Sequence, residues 1–456
     1  MEVPPTATCH VVALPFPGRG HVNPLLNFCD LLLSNNPDIL VTIVLTEEWL
    51  GFIGSQAQPR SFRFSTIPNV IPSEVDRAAD RFGFITAVMT KMEAPFEQLL
   101  DRLEPPPTLL IYDACLYWAV EVGNRRNMAV ASFWPMSASY LSLIKHLHLF
   151  EQHGHYPINA LEVGDKRVDY VPGISSTRLA DFPLIDGSLP RQRILQWRLN
   201  LLSSMSKSQY LLFPTTYDLE PLAIHVLKSS FTLPIYLIGP AIPYPNLSSS
   251  STSDNHTEKA YFQWLDKQPS CSVLYISQGS FLSVSQAQID EIAAGLRLSG
   301  VRFLWVARKE THKLREICGD KGLVIEWCEQ FRVLLHDAIG GFWSHCGWNS
   351  TKEGVFAGVP FLTVPIMGDQ HLNSKMIMED WKVGWRVRKD FDPQRLISRE
   401  EISGLLQKFM DLDDEGGKEM RKRAKDLQRV YQLSIANGGS SQTNINAFIR
   451  DITKRG

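Results

Sequence analysis

Residues 327–370 read WCEQFRVLLHDAIGGFWSHCGWNSTKEGVFAGVPFLTVPIMGDQ. Ile339 to Trp343 is a short apolar run bounded by turn residues, which predicts a buried strand. His345 to Ser350 turns the chain, Thr351 to Ala357 predicts a helix, and Phe361 to Val364 predicts the next strand. A strand that turns sharply into a helix presents unpaired backbone N–H groups and the positive end of the helix dipole, a ready anion site. His345 and Ser350 add side-chain donors. The turn taken alone is equally compatible with a helix capped by Asn349 or Ser350 and no ligand.

The same strand–helix rhythm extends in both directions. Upstream, Ser272 to Ile276 predicts a strand ending in Ser277-Gln278-Gly279-Ser280. Ser285 with Gln288 predicts a capping box for a helix over 286–299, stopped by Gly300. Arg302 to Val306 and Gly322 to Glu326 predict two more strands. Downstream, Ser398 with Glu401 predicts another capped helix. A charged helix over Lys418 to Tyr431, the turn Gly438-Gly439-Ser440-Ser441 and a last helix follow. In the first half, His10 to Phe16 predicts a strand, Pro17-Gly18-Arg19-Gly20-His21 a tight loop, and Leu25 to Leu33 a helix after Pro24. Ile39 to Leu45 and Thr108 to Tyr112, the latter ending at Asp113, predict further strands.

Asn246 to Thr257, NLSSSSTSDNHT, holds one large apolar residue and reads as a linker. The expectation is an α/β protein with two doubly wound parallel-sheet (Rossmann-like) domains facing a cleft. The domains span 1–240 and 259–435, with a flexible linker over 241–258. Residues 436–456 form a helix that packs back on the first domain. In such sheets ligands bind beyond the carboxyl ends of the strands.

Composition excludes several classes. Of 456 residues 44% are hydrophobic and 21% charged, which fits a globular chain rather than a disordered one. Lys plus Arg number 46 against 48 Asp plus Glu, so there is no broad basic field for nucleic acid. The seven cysteines form no CxxC pair, which argues against a disulfide framework and a zinc site. The N-terminus lacks a basic secretory start, and no run of about 18 apolar residues occurs. These features predict a cytoplasmic monomer with no integral membrane association.

Residues 327–370 resemble the signature box of plant family 1 UDP-sugar-dependent glycosyltransferases, whose pattern reads W-x-P-Q, H-C-G-W-N-S, E and D/E-Q. The matching residues are Trp327, Gln330, His345 to Ser350, Glu353, Asp369 and Gln370. The GHxNP motif at Gly20 to Pro24, the strand ending at Gly279-Ser280 and the GGSS turn extend the resemblance along the chain. It implies the GT-B architecture, with the acceptor in the first domain and the UDP-sugar in the second. It implies that Trp327 stacks on uracil, the Cys328 backbone reads the uracil edge, and Gln330 contacts the nucleoside. Glu353 would accept from the ribose hydroxyls. His345, Asn349, Ser350 and Ser280, with Gly347 in the same turn, would hold the diphosphate. Trp348, Asp369 and Gln370, with the backbone near Gly368, would bind the hexose, Gln370 favouring glucose over galactose. Two departures stand out: Glu329 replaces the usual proline, and Gln278 stands where an aromatic residue is common.

His21 in a loop and Asp113 at a strand end are each commonly structural when taken alone. The resemblance implies that they form a hydrogen-bonded dyad. An imidazole that titrates close to neutral pH can take the proton of an attacking hydroxyl, and a carboxylate on its other nitrogen fixes the tautomer. The implied reaction is inverting transfer of glucose from UDP-glucose to a hydroxyl, or a carboxyl, of a small apolar acceptor such as a flavonoid, phenolic or terpenoid. Phe16, Phe82, Tyr117, Trp118, Phe133, Trp134, Met136, Tyr140 and Phe182 are candidates to line the acceptor site, or else core. Asp411-Leu412-Asp413 spells the DxD pair of metal-dependent relatives, but its polar surroundings read as a solvated loop, so no metal and no other cofactor is expected. Two other functions stand beside this one. A non-catalytic sugar-nucleotide binder would keep residues 327–370. A nucleotide-dependent oxidoreductase would want GxGxxG, and Asn23 stands where the third glycine belongs.

Overall fold

The computed structural model describes residues 9–54, 62–76, 80–156, 164–182, 191–243, 256–279, 285–307, 311–388 and 395–454. Its first sheet is built from β1 (Cys9–Leu14), β2 (Ile39–Thr46), β3 (Arg63–Ile67), β4 (Leu109–Asp113), β5 (Ala129–Phe133), β8 (Tyr210–Phe213) and β9 (Ile235–Leu237). β6 (Arg167–Val168) and β7 (Thr177–Arg178) pair as a small antiparallel hairpin outside it. The second sheet contains β10 (Val273–Ser277), β11 (Arg302–Val306), β12 (Gly322–Ile325), β13 (Ile339–Ser344), β14 (Phe361–Thr363) and β15 (Gly384–Arg386).

The strand orders are β3-β2-β1-β4-β5-β8-β9 and β12-β11-β10-β13-β14-β15, and the pairs within both sheets are parallel. Both therefore reverse direction of growth at the same place, between the first strand and the fourth. Apolar residues fill both faces because helices cover both. Val11, Ala13, Val41 and Ile43 face one core, while Val12, Leu14, Leu110 and Tyr112 face the opposite one. The second sheet repeats this, with Val273 and Tyr275 on one side and Leu274 and Ile276 on the other. Period-two alternation of wholly apolar strands is what two-sided burial requires.

Several local expectations need correction. The first helix is Arg19–Asn35, so it starts six residues before the expected Leu25 and carries His21 in its first turn and Pro24 inside. Proline is tolerated there because it removes a single N–H, the one that would bond to the carbonyl of Gly20. Ser285 caps its helix by accepting from the N–H of Gln288, but the box is incomplete. The Gln288 amide turns instead to the Ile397 backbone, donating to its carbonyl and accepting from its N–H. Ser398 and Glu401 do form a full capping box. A helix begins at His256, inside the stretch read as linker, and residues 244–255 of that stretch lie outside the described ones.

The helix Ser440–Thr453 buries Ile445, Phe448, Ile449 and Ile452 in the core of the first sheet. Asn444 accepts from the N–H of Leu237, and Tyr236 bonds to Asp451. The two sheets are also joined through the hairpin. Buried Asp181 takes Arg178 at 2.9 Å from its own domain and Arg386 at 2.6 Å from the other. Arg167 pairs with Glu379, and Ser175 donates to Asp380. Among the described residues no helix is long and apolar enough to cross a membrane.

Candidate active site

His21 and Asp113 are brought together by the topology. His21 stands in the helix that follows β1, Asp113 ends β4, and β1 and β4 are neighbours at the point where the first sheet reverses. The helix is nucleated by Gly18, whose carbonyl accepts from the N–H groups of His21 and Val22 at 2.9 Å. His21 Nδ1 lies 2.8 Å from Asp113 Oδ2. Asp113 is fully buried, and its Oδ1 accepts from the backbone N–H of Cys115 at 2.9 Å. The carboxylate is thus held on both oxygens, and the imidazole that it orients remains 25% exposed. Phe16 packs its ring 5.0 Å from that imidazole.

The matching reversal of the second sheet lies between β10 and β13, and it holds the predicted anion turn. The helix Trp348–Ala357 starts after Gly347, which offers no capping side chain to the first-turn N–H groups. Neither Asn349 nor Ser350 caps it. Asn349 Nδ2 donates 2.8 Å across to the carbonyl of Gly20 in the first domain. That carbonyl is the one Pro24 leaves without a helical N–H. Ser350 Oγ accepts from Gln330 at 3.0 Å, which leaves the hydroxyl hydrogen to donate elsewhere.

His345 fits where two glycines make room. A Cβ on Gly347 would stand 2.5 Å from His345 Nε2, and one on Gly279 would stand 2.8 Å away. Gly279 also has φ of +83°, which disfavours any side chain. Burial keeps the imidazole neutral, pulling its pKa down to about 4 against a backbone hydrogen bond with Ser277. Ser280 lies outside the described residues. The amide nitrogen of Gln278 is enclosed, with no partner among the described residues.

Gln330 is more occupied than a simple nucleoside contact suggests. Its Nε2 donates to Glu353 Oε2 at 2.6 Å as well as to Ser350, and its Oε1 accepts from Tyr275 at 3.1 Å. Burial pushes the Glu353 carboxyl up to about 7, with Gln330 and Lys352 acting in the opposite direction. Tyr275 OH also lies 3.4 Å from the sulfur of buried Cys328. Trp327 is 39% exposed. Glu329 has a backbone N–H that proline would lack, and the hydroxyl of Tyr261 accepts it.

Asp369 and Gln370 follow the turn at Gly368, whose φ of +59° suits glycine. Gln370 Oε1 accepts from the N–H groups of Ile366 and Met367, which presents Nε2 as the donor. Asp369 accepts from Asn373 at 2.8 Å. Burial pushes the Asp369 carboxyl up to about 6, opposed by Asn373 and by the charge of His21 across the cleft. The Trp348 indole is buried and donates to the carbonyl of Pro214 at 3.3 Å. Asp411 lies at the end of a helix, with its Oδ1 accepting from the N–H of Asp413.

Of the acceptor candidates, Trp118, Phe133, Trp134 and Phe182 are core. Phe16, Phe82, Tyr117, Met136 and Tyr140 are partly exposed. Sequence reasoning missed Tyr275 and Asn373, which aim site residues rather than meet a ligand. Asn373 had a signal, since it is four residues from Asp369 on one helix face.

Comparison with known proteins places the chain in a family. Residues 239–390 match the family described as UDP-glucoronosyl and UDP-glucosyl transferase. UDP-glycosyltransferase 87A1 of Arabidopsis thaliana is 51% identical over 443 residues, 97% of this chain and 100% of that protein. The chain belongs to the UDP-glycosyltransferase family. It is a family 1 plant-type enzyme that transfers a sugar from a UDP-sugar. UDP-glycosyltransferase 87A2 of the same plant is 50% identical, covering 99% of this chain and 98% of its own. The crystal structure of Medicago truncatula UGT71G1 complexed with UDP-glucose superposes with a TM-score of 0.81 at 27% identity, covering 98% of each chain. The two Rossmann-like sheets are those of the GT-B fold.

Proposed function

We propose that this glycosyltransferase moves glucose from UDP-glucose to a hydroxyl of a small apolar acceptor, with inversion at the anomeric carbon and His21 as general base. The observation that carries the reading is the 2.8 Å contact of His21 Nδ1 with buried Asp113, directly across from Asn349 and Asp369. With Nδ1 tied to the carboxylate, Nε2 carries the lone pair. It takes the acceptor proton as the oxygen attacks the face of the sugar opposite UDP. The bond to the diphosphate breaks through an oxocarbenium-like state, as in glycoside hydrolysis.

The leaving diphosphate gathers charge at the start of the helix Trp348–Ala357. First-turn N–H groups, neutral His345 and the Ser350 hydroxyl donate to it there, with no metal required. Glu353 accepts from the ribose, Trp327 stacks on the uracil, and the Cys328 backbone reads its edge. Asp369 and the Nε2 of Gln370 bind hexose hydroxyls. Phe16, packed at a tilt beside His21, and the partly exposed Tyr117, Met136 and Tyr140 give the acceptor side an apolar lining suited to a flavonoid, another phenolic or a terpenoid. The work is that of a cytoplasmic monomer in plant specialised metabolism.

A mass-spectrometric screen of phenolic, terpenoid and carboxylic acceptors with UDP-glucose, UDP-galactose and UDP-xylose tests this. The expected result is a β-glucoside, made fastest from UDP-glucose. Faster transfer from another donor would overturn the assignment of the sugar. UDP-glucose binding with no product from any acceptor would favour a non-catalytic binder.

A further inference from the structure

Cys115 lies two residues past Asp113 and donates its backbone N–H to Asp113 Oδ1. That turn folds its thiol back beside the dyad. Among the described residues, His21, Asp113 and Cys115 form the one group of three in which a ring nitrogen, a carboxylate oxygen and a sulfur all lie within 4.8 Å of one another. Asp113 and Cys115 are buried, and the group opens to the cleft through His21.

Imidazole nitrogen, carboxylate oxygen and thiolate sulfur form a donor set that suits zinc. At zinc, N and O ligands stand about 2.0–2.2 Å and S about 2.3 Å from the ion, so tetrahedral ligands lie roughly 3.3–3.6 Å apart. Donors that already sit within 4.8 Å need to move only on the order of an ångström to reach this. The absence of CxxC pairs concerned sites written in local sequence. This group is assembled from the first turn of the helix after β1 and the chain at the end of β4, and it carries a single cysteine.

We propose that His21, Asp113 and Cys115 form an inhibitory binding site for a zinc-like thiophilic divalent cation. Binding is balanced by loss of the Cys115 thiol proton to water. The thiolate, the Asp113 carboxylate and one His21 nitrogen then donate lone pairs to the ion, and water fills the fourth position. Either mode of histidine ligation removes the base. Coordination through Nε2 uses its lone pair, and coordination through Nδ1 leaves the ring proton on Nε2. The inhibition rests on His21 acting as base, whereas the binding does not.

The test uses the full chain, reduced with a non-chelating phosphine. Cobalt(II) should bind one equivalent with a thiolate-to-cobalt charge-transfer band in the near ultraviolet, and zinc should displace it. Zinc should also stop turnover, and EDTA should restore it. Losing even an outer-shell partner of a metal costs about 10–100-fold, so Cys115→Ser should bind zinc at least about tenfold more weakly and raise the inhibitory concentration equally. If that variant does not fold, Cys115→Ala carries the same expectation. A cobalt complex without the charge-transfer band, or zinc affinity unchanged in a folded Cys115 variant, would overturn the site. Binding that depends on Cys115 but leaves turnover untouched would uphold the site and instead remove His21 as the base.

Discussion

Asn349 Nδ2 donates 2.8 Å across the cleft to the carbonyl of Gly20, an oxygen left without its helical partner because residue 24 is proline. One side chain from the anion turn therefore senses the helix that carries His21, one residue away. Replacing Asn349 by Ala removes this tie and, in the proposed function, a donor to the diphosphate. The KM for UDP-glucose should rise about fivefold to thirtyfold, equivalent to about 1–2 kcal/mol. An unchanged donor KM in steady-state kinetics would show that the contact plays no part in the working state.

The buried carboxyl of Glu353 gives donor binding a pH dependence. Its pKa is raised to about 7, and in the proposed function the ribose hydroxyls donate to its ionised form. Donor binding should therefore release a proton near neutrality, and the KM for UDP-glucose should rise as pH falls below 7 and level off above it. Glu353→Gln should weaken binding and flatten that profile. A wild-type profile flat from pH 5.5 to 8 would contradict the role given to Glu353.

Gly279→Ala tests the pocket of His345. The new Cβ would face the imidazole at 2.8 Å in a backbone conformation with φ of +83°. A side chain in that conformation costs about 1–2 kcal/mol, and the imidazole must also shift. The expectation is a lower thermal midpoint together with a loss of UDP affinity by calorimetry. Full UDP affinity in the variant would place His345 outside the diphosphate site.

Much of this was legible in the sequence because the strands are short, wholly apolar and separated by helical patterns. The anion turn was legible because its polar residues lie within one loop. His21 was expected in a loop because the helix was read as beginning after Pro24, yet the helix tolerates one missing N–H and lends the idle carbonyl to Asn349. The Gln288 amide shows the same limit, since its partner at Ile397 is far along the chain. Asp181 with Arg386 and Cys115 with His21 are likewise pairings that only the folded topology creates. The bond from the Trp348 indole to the carbonyl of Pro214 is a further pairing that no local pattern announces.

Transfer should run at full rate in EDTA, since in the proposed function the helix start and the neutral donors His345 and Ser350 meet the leaving charge without an ion. Rates with and without added Mg²⁺ or Mn²⁺ check this. A requirement for either ion would return attention to Asp411 and Asp413.

The most direct measurement is the turnover of His21→Ala with a phenolic acceptor, taken beside its UDP-glucose affinity. General-base help is worth about 10²–10⁴ in rate, so kcat should fall by at least about a hundredfold while donor affinity stays within about twofold of wild type. Wild-type turnover in this variant would contradict the account at its centre.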